Sequence, residues 1–374
     1  MSKIDDLIKE LCPEGVRFVC LDEVASLRRG SAITKKNIIP GDVPVIAGGQ
    51  KPAYFHGESN RSANIVVVAG SGAYAGFVSF WSVPVFVSDA FSIEPLDGEV
   101  ISKYIFYILK NRQTELHNLK RGSGVPHVYS RDVAKWKIPV PPLEVQKEIV
   151  RVLDSFTELE AELEAELEAR KKQYEYYRNT LLTFNERERV EYVQIGDICN
   201  ISRGRVMSKS YLIDNAGDYP VYSSQTANNG VFGYINTYDY DKESITWTTD
   251  GANAGSVFYH NNEEFSITNV CGLLMPKREQ VKVKYLYYIL QITLKKYVNS
   301  GMGNPKLMSN TMAKIKIPVP SLEKQKQIVS ILDKFEKLTN DISVGLPAEI
   351  EARRKQYEYY RNKLLIFKEL EHSK

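Results

Sequence analysis

One segment of this chain is written twice. EARKKQYEYYRNTLLTF at 168–184 returns as EARRKQYEYYRNKLLIF at 351–367, with fourteen of seventeen positions identical at an offset of 183. The repetition extends upstream: IPVPPLEVQKEIVRVLDSF at 138–156 returns as IPVPSLEKQKQIVSILDKF at 317–335, with thirteen of nineteen positions identical. Fainter echoes precede each copy in the same order: FVCLDEVASLRRG and YVQIGDICNISRG, VPVIAGGQ and YPVYSSQ, GAYAG and GANAG, RGSGVP and SGMGNP. The period is far above that of a solenoid repeat, so the chain is a duplicated domain pair. Its 374 residues exceed what one core ordinarily serves. They divide into a short N-terminal helix at 1–15, a mixed domain at 16–137, a helical segment at 138–189, a second mixed domain at 190–316 and a second helical segment at 317–374. The expected fold is α+β, with two pseudo-twofold related mixed domains joined by two long antiparallel coiled-coil helices. The helical copies agree closely while the domains have diverged. Helices that meet one kind of partner twice, and domains that meet two different things, account for this.

The first helix is expected to begin after Pro141 and Pro142, because proline suits a helix start and not its interior. Positions spaced alternately by four and three then form a coiled-coil seam: Ile149, Leu153, Phe156, Glu160, Leu163, Leu167, Arg170, Tyr174, Tyr177, Leu181 and Phe184. A helix of ~42 residues would run roughly 63 Å. The acidic run ELEAELEAELEA lies on it as a solvated face. The second copy keeps the seam at Ile328, Leu332, Phe335, Tyr357, Tyr360, Leu364 and Phe367, with four residues added between its two parts, a stutter that unwinds a coiled coil. Gly345 and Pro347 stand there, so a break is expected over 344–347. Gln173, Tyr176, Arg178 and Asn179 lie off the seam and recur as Gln356, Tyr359, Arg361 and Asn362. These eight are the candidate partner-binding residues, since exposed aromatics and arginine mark protein interfaces.

Each mixed domain shows short strands, glycine-rich turns and one short helix, YIFYILKN in the first and YLYYILQI in the second. Strands are expected at 65–69, 77–87, 244–248 and 256–259. Residues 62–88 carry no charge, but Gly70, Gly72, Gly76 and Pro84, with a β-branched and aromatic second half, point to strands rather than a membrane span. The run Gly70-x-Gly72-x-x-Ala75 comes after a strand as a dinucleotide fingerprint would, yet the next residues, GFVSFWSVPVF, read as strand and not helix. A turn between strands is the better reading. No GxxxxGK[ST] loop, [DE]xK pair, Asn-Pro-Pro-Tyr or Asp-Pro-Pro-Tyr tetrapeptide, or GxSxG elbow occurs, so no active site is expected. The four cysteines form no CxxC pair and the five histidines no HxxxH pair. Neither a metal site nor a disulfide framework is expected, and a reducing cytoplasm is the simplest location.

The loops suit DNA. Arginine and lysine match guanine edges, asparagine and glutamine match adenine edges, and serine or threonine with lysine suits phosphate. In the first domain the candidates are Arg28, Arg29, Ser31, Lys35, Lys36, Gln50, Lys51, Lys120, Arg121, Ser123 and His127. In the second they are Arg203, Arg205, Lys209, Ser224, Gln225, Asn228, Asn304 and Lys306. The two sets align in place and differ in identity, as two readers of different words would.

IPVPPLEVQKEIV…LD followed by ARKKQYEYYRNTLL, preceded by RGSGVPHVYSRDVAKWKIPVPP and present twice, resembles the specificity subunit of type I restriction–modification systems over nearly the whole chain. The resemblance implies two target recognition domains reading the halves of a split site in double-stranded DNA, with the helices as a spacer. It implies two adenine methyltransferase subunits docked on the repeated helices, and motor-nuclease subunits that join in the restriction enzyme. S-adenosylmethionine, ATP and magnesium would belong to those partners, and the chain itself would catalyse nothing. The alternative is a DNA-binding or scaffold module acting outside modification, such as a silent cassette product or a decoy.

Overall fold

The computed structural model describes residues 2–370 apart from positions 97, 123, 278, 300, 302 and 342. The chain forms two compact units, and each draws on both halves of the sequence. The first holds residues up to 164 together with those from 349 onward, and the second holds 165–348.

Both units have one topology. The first contains β1 (Arg17–Cys20), β2 (Ala25–Arg29), β3 (Val43–Ile46), β4 (Tyr54–His56), β5 (Ile65–Ala69), β6 (Val78–Trp81), β7 (Phe86–Val87), β8 (Ala90–Pro95) and β9 (Lys137–Val140). They form an antiparallel sheet in the order β2-β8-β5-β6, a small sheet β4-β3-β7 with β3 and β7 parallel, and a ladder of β1 with β9. The second unit repeats this with β10 (Glu191–Gln194), β11 (Cys199–Arg203), β12 (Tyr219–Tyr222), β13 (Val231–Ile235), β14 (Ser244–Thr248), β15 (Val257–His260), β16 (Ser266–Ile267), β17 (Cys271–Pro276) and β18 (Lys316–Val319). Its sheets run β11-β17-β14-β15 and β13-β12-β16, with the ladder β10-β18. The charge-free stretch is therefore β5 to β7 and their turns, and among the described residues no helix is long and apolar enough to cross a membrane. The single strand expected over 77–87 is two, β6 and β7. The chain turns at 82–84, where Pro84 has no N–H to give to a ladder. The glycine run after β5 is a turn into its antiparallel neighbour β6, with Gly72 and Gly76 at φ of 81° and 84°.

The helix Ser102–Asn111 buries Tyr104, Ile105, Tyr107, Ile108 and Leu109 against the first four-stranded sheet, and Val283–Thr293 does the same with Tyr285, Leu286, Tyr288, Ile289 and Leu290. The repeated helices close each core from the other side. The first long helix, Leu143–Leu181, starts directly after the two prolines and runs unbroken for 39 residues. In the first unit its early part packs antiparallel on the chain from 349 onward. Phe156 lies 6.3 Å from Tyr357 and 5.4 Å from Tyr360, while Glu160 and Glu164 both pair with Arg354 further back. Glu160, a polar residue on an apolar seam, is thus explained by its partner. In the second unit the later part of the same helix packs on Leu322–Asn340, with Tyr174 and Tyr177 at 6.4 and 5.4 Å from Phe335.

Three sets of side-chain contacts tie helix to domain at matching positions in both units. Gln146, fully buried, accepts from the Ile101 N–H at 3.0 Å and donates to the carbonyls of Glu99 and Pro141. Gln325 accepts from the Lys282 N–H at 2.9 Å and donates to those of Gln280 and Pro320. Tyr104 and Tyr285 donate to Pro139 and Pro318. Tyr107 and Lys103 converge on Asp154, as Tyr288 and Lys284 converge on Asp333. Removing such a partner leaves buried donors and acceptors bare, at about 1–3 kcal/mol each. These are the residues behind the near-identity of PxLExQ and LD in the two copies.

The units differ at two places on the frame. The N-terminal helix Ser2–Leu11 seats Ile4 in the first core, with Lys3 paired to Glu148 and Asp5 to Lys363, each at 3.6 Å. The aligned surface of the second unit is wet instead: Val145 becomes Lys324, Glu148 becomes Gln327 and Lys363 becomes Thr180, all exposed. The second difference is the expected break. Helix Leu322–Asn340 ends where the Asp341 carboxylate accepts from the N–H groups of Ser343 and Val344 at 2.8 and 3.2 Å, and the helix resumes at Leu346. The Ser343 hydroxyl and N–H hold the Asp341 carboxyl below its usual range. Gly345 is required by close approach, since a Cβ there would lie 2.5 Å from the Lys337 carbonyl oxygen. The gap therefore falls at 341–345, ahead of the expected 344–347. Pro347 opens the second segment rather than breaking the helix, as its missing N–H allows in a first turn.

Candidate nucleic-acid interface

In each unit the basic turn and three other loops meet at one end of the sheets. After Arg29 the chain passes so close to β7 that a Cβ on Gly30 would overlap the carbonyl oxygens of Val87 and Ser88. Gly204 stands against Ile267 in the same way, so the repeated Arg-Gly step is a glycine of close approach. The Ser31 N–H then donates to Val87 O at 3.0 Å, Gly48 packs on Ser71, the Gly72 N–H donates to Pro126 O at 2.9 Å, and Arg121 and His127 exchange backbone bonds. This chain of contacts draws Arg28, Arg29, Ser31, Arg121 and His127 to one edge, beside the loop that carries the exposed Gln50 and Lys51. Lys36 lies apart on the turn Lys35–Asn37, a stretch tied to β4 through Tyr54, whose hydroxyl donates to Ile33 O at 3.0 Å. Ser123 and the side chain of Lys35 lie outside the described residues.

The side chains at this edge divide into those that are occupied and those that are free. Lys120 donates to Ala73 O at 2.8 Å, Arg28 pairs with Glu94 at 3.5 Å and Arg121 with Asp132 at 3.5 Å. Arg29 lines a small cavity of about 70 Å³ with Asp89, His127 and Tyr129. His127 stacks on Tyr129, with centroids 6.0 Å apart and planes 16° from parallel. Ser31, Lys36, Gln50 and Lys51 are exposed. Beneath them sits a residue that no sequence motif marks. Arg61, only 8 % exposed, donates to Ser92 Oγ at 2.6 Å, Asn60 O at 2.7 Å and Arg29 O at 2.9 Å, and so holds the backbone of the basic turn. Burial lowers its pKa, with Arg28 adding to the effect and Glu94 opposing it. Its one signal in the sequence is its place as the last charge before the uncharged stretch.

In the second unit Arg203 donates to Thr249 Oγ1 at 2.8 Å and lies 3.8 Å from the Asp250 carboxylate, which Lys306 also approaches at 3.8 Å. Arg205 is held by Asp239 at 3.2 Å and by the Tyr211 hydroxyl at 2.8 Å, the latter the larger cause of its raised pKa. Ser224 Oγ lies 2.9 and 2.8 Å from the carbonyl oxygens of Asp250 and Val270 and accepts from the Asp250 N–H. The Gln225 amide donates to Val231 O. Ser224 and Gln225 therefore shape the loop from within. Lys209, Asn228 and Asn304 are exposed, and Asn228 takes a left-handed φ of 50°, which presents it on a tight turn. Asp250, which a search for basic residues misses, is the acceptor at the centre of this edge and has the chemistry to meet a cytosine amino group.

On the helices the repeated off-seam residues separate into two faces. Tyr176 and Tyr359 are 66 % and 62 % exposed, with Asn179 and Asn362 exposed beside them, Gln173 half-buried and Gln356 exposed. Arg178 and Arg361 turn the other way, toward the mixed domain of their own unit. Each lies over a seam tyrosine, Arg178 at 5.2 Å from Tyr174 and Arg361 at 5.3 Å from Tyr357. Arg178 donates to Gln291 at 3.4 Å and Arg361 to Asn111 at 2.9 Å. At 100° per residue, positions 173, 176 and 179 share a face that 178 does not. Charge reversal at the two arginines would therefore disturb packing within each unit. The tyrosines are the cleaner probes of docking.

Residues 13–169 and 187–352 match the model of the type I restriction modification DNA specificity domain. A chain of Haemophilus influenzae named as a type I restriction enzyme specificity subunit is 30% identical over 94% of this chain and 96% of its own length. One of Mycoplasma pneumoniae named as a type I specificity subunit is 43% identical over 62% of this chain and 95% of its own. The crystal structure of the type I restriction–modification S subunit from M. genitalium superposes with a TM-score of 0.67 at 20% identity, covering 94% of this chain and 96% of that one. With two loop-bearing units on a repeated helical frame, the chain belongs to the type I restriction–modification specificity subunits, which give such systems their DNA sequence specificity.

Proposed function

We propose that each unit reads one half of a bipartite site in double-stranded DNA, and that the long helices set the unspecified gap. Two adenine methyltransferase subunits dock on the faces marked by Tyr176 and Tyr359, and motor-nuclease subunits join that complex where restriction accompanies methylation. The chain is the non-catalytic member of the assembly and works in the cytoplasm. S-adenosylmethionine, ATP and magnesium belong to its partners. One observation carries this reading: the frame is repeated at most of its positions while the candidate reading edges share only their backbone plan, as two readers of different words on one scaffold would. Co-expression with its cognate adenine methyltransferase subunit in an unmodified host, followed by mapping of methylated adenines, tests it. A split, asymmetric motif with a fixed gap is expected. A stable complex that methylates nothing would leave a scaffold without a reader.

A further inference from the structure

The second unit contains a cleft of about 660 Å³. Its walls are the end of the first long helix at Arg178, the turn at 252–257 between β14 and β15, and Gln291 and Lys295. Among the described residues two cations line it and no carboxylate does. Arg178 is incompletely satisfied there. Its acceptor, Gln291, is 3.4 Å away, and its Nε is buried with no hydrogen-bond partner among the described residues. The aligned arginine of the first unit has a close acceptor for the same atom. Arg361 Nε donates to Asn111 at 2.9 Å, and Lys110 lies 4.5 Å over the ring of Phe77. In the second unit Asn111 is replaced by Ile292, Lys110 by Gln291 and Phe77 by Ser256. The same arginine thus exchanges an acceptor at 2.9 Å for one at 3.4 Å that leaves its Nε unbonded.

We infer that this cleft takes a backbone phosphate of the DNA, held between Arg178 and Lys295. The inference rests on the DNA-reading function proposed above. A guanidinium fork presents parallel donors to phosphate oxygens, and a cleft with two cations and no counter-charge favours an anion before any contact forms. The wall of the cleft is continuous with the reading edge: Gly251 N–H donates to Pro305 O at 3.0 Å, and the Asn253 amide to Thr226 Oγ1 at 3.1 Å. A phosphate here lies next to the loops that carry Asn228, Asn304 and Lys306, which is why DNA is favoured over a carboxylate of a protein partner. The second half-site is therefore gripped by one contact that the first does not have.

The test is the salt dependence of DNA binding by the full chain in complex with its methyltransferase, on a duplex carrying the methylated motif. One phosphate contact contributes a slope of about 0.9 in log K against log salt. Arg178→Gln, Lys295→Gln and their combination should each flatten the slope by up to that amount with base preference unchanged, and Arg178→Lys should restore most of it. Arg361→Gln should leave the slope alone. A neutral methylphosphonate walked along the second half-site should, at one position, remove the difference between wild type and the double variant. Lys295 is exposed, so its single variant keeps the test valid if Arg178→Gln destabilises the unit. An unchanged slope in the double variant overturns the inference. So does loss of methyltransferase assembly with an unchanged slope, which would assign the cleft to a partner's carboxylate. Failure of the wild-type complex to bind the duplex would instead defeat the DNA-reading function itself.

Discussion

Place Asp154 and Asp333 side by side, then Ser71 and Asp250. The first two are aligned aspartates, each met by a lysine and a tyrosine at matching places on the domain helix, with Lys284 shared between Asp333 and Glu336 in the second unit. The second two are also aligned, yet Ser71 is a hydroxyl held by Asp89, whereas Asp250 is a carboxylate approached by Arg203 and Lys306. The backbone around the second pair is the same turn, and only its chemistry has changed. Positions that hold helix to domain are under a common steric and hydrogen-bonding demand in both units. Positions at the candidate edge are under no such shared demand, and they differ between the two units.

The largest expected effect tests this contrast as a whole. Replacing 190–316 with the corresponding domain of a relative should change one half of the methylated motif completely and leave the other half intact, as read by genome-wide methylation mapping. A change in both halves would mean that the frame also reads. Next in size, Tyr176→Ala with Tyr359→Ala should weaken methyltransferase assembly by about 2 kcal/mol per site or more, as buried interface aromatics do, without lowering thermal stability. Full assembly of the double variant would remove the helix face from the docking surface. Gln146→Ala and Gln325→Ala should each destabilise their own unit by about 1–3 kcal/mol, measured by denaturant unfolding. Sharply unequal losses would show that the two frames are not equivalent. The smallest effect separates the units by pH. Glu263 is held below the usual glutamate range by bonds from His260 and then Tyr222, and partly opposed by burial. A depressed carboxylate stabilises the fold above its unfolded value and loses that contribution as pH falls through the folded one. Acid should therefore cost the second unit stability in the mildly to strongly acidic range, and Glu263→Gln should flatten that dependence in a pH series of melting curves.

The duplication, the seam and the helix start were legible in the sequence because they rest on local periodicity and on proline chemistry. Glu160 on an apolar seam was legible as a position but not as a contact, since its partner Arg354 lies 194 residues on. The break was legible from Gly345 and the added residues. Its placement was not, because the stop is made by the Asp341 side chain turning back on the N–H groups of Ser343 and Val344. Gln173, Tyr176, Arg178 and Asn179 stand together in the sequence and read as one surface. The side that the domain covers is decided by tertiary packing, and it takes Arg178 away from the other three. At the candidate edge the sequence offers residue types but not the contacts that occupy them. Arg203, Ser224 and Gln225 look like readers, but the acceptors that occupy them come from strands and turns 6 to 46 residues away.

The Ser224 contacts carry a last consequence. Its hydroxyl is bound to the carbonyl oxygens of positions 250 and 270 and to the N–H of position 250, groups of the main chain that do not depend on the side chain attached. Residue 250 can therefore mutate without the loop losing its anchor, as can residue 270. A loop fastened by its main chain keeps its shape while the side chain at 250 changes, so a new residue there has to answer only to its immediate neighbours Arg203, Thr249 and Lys306.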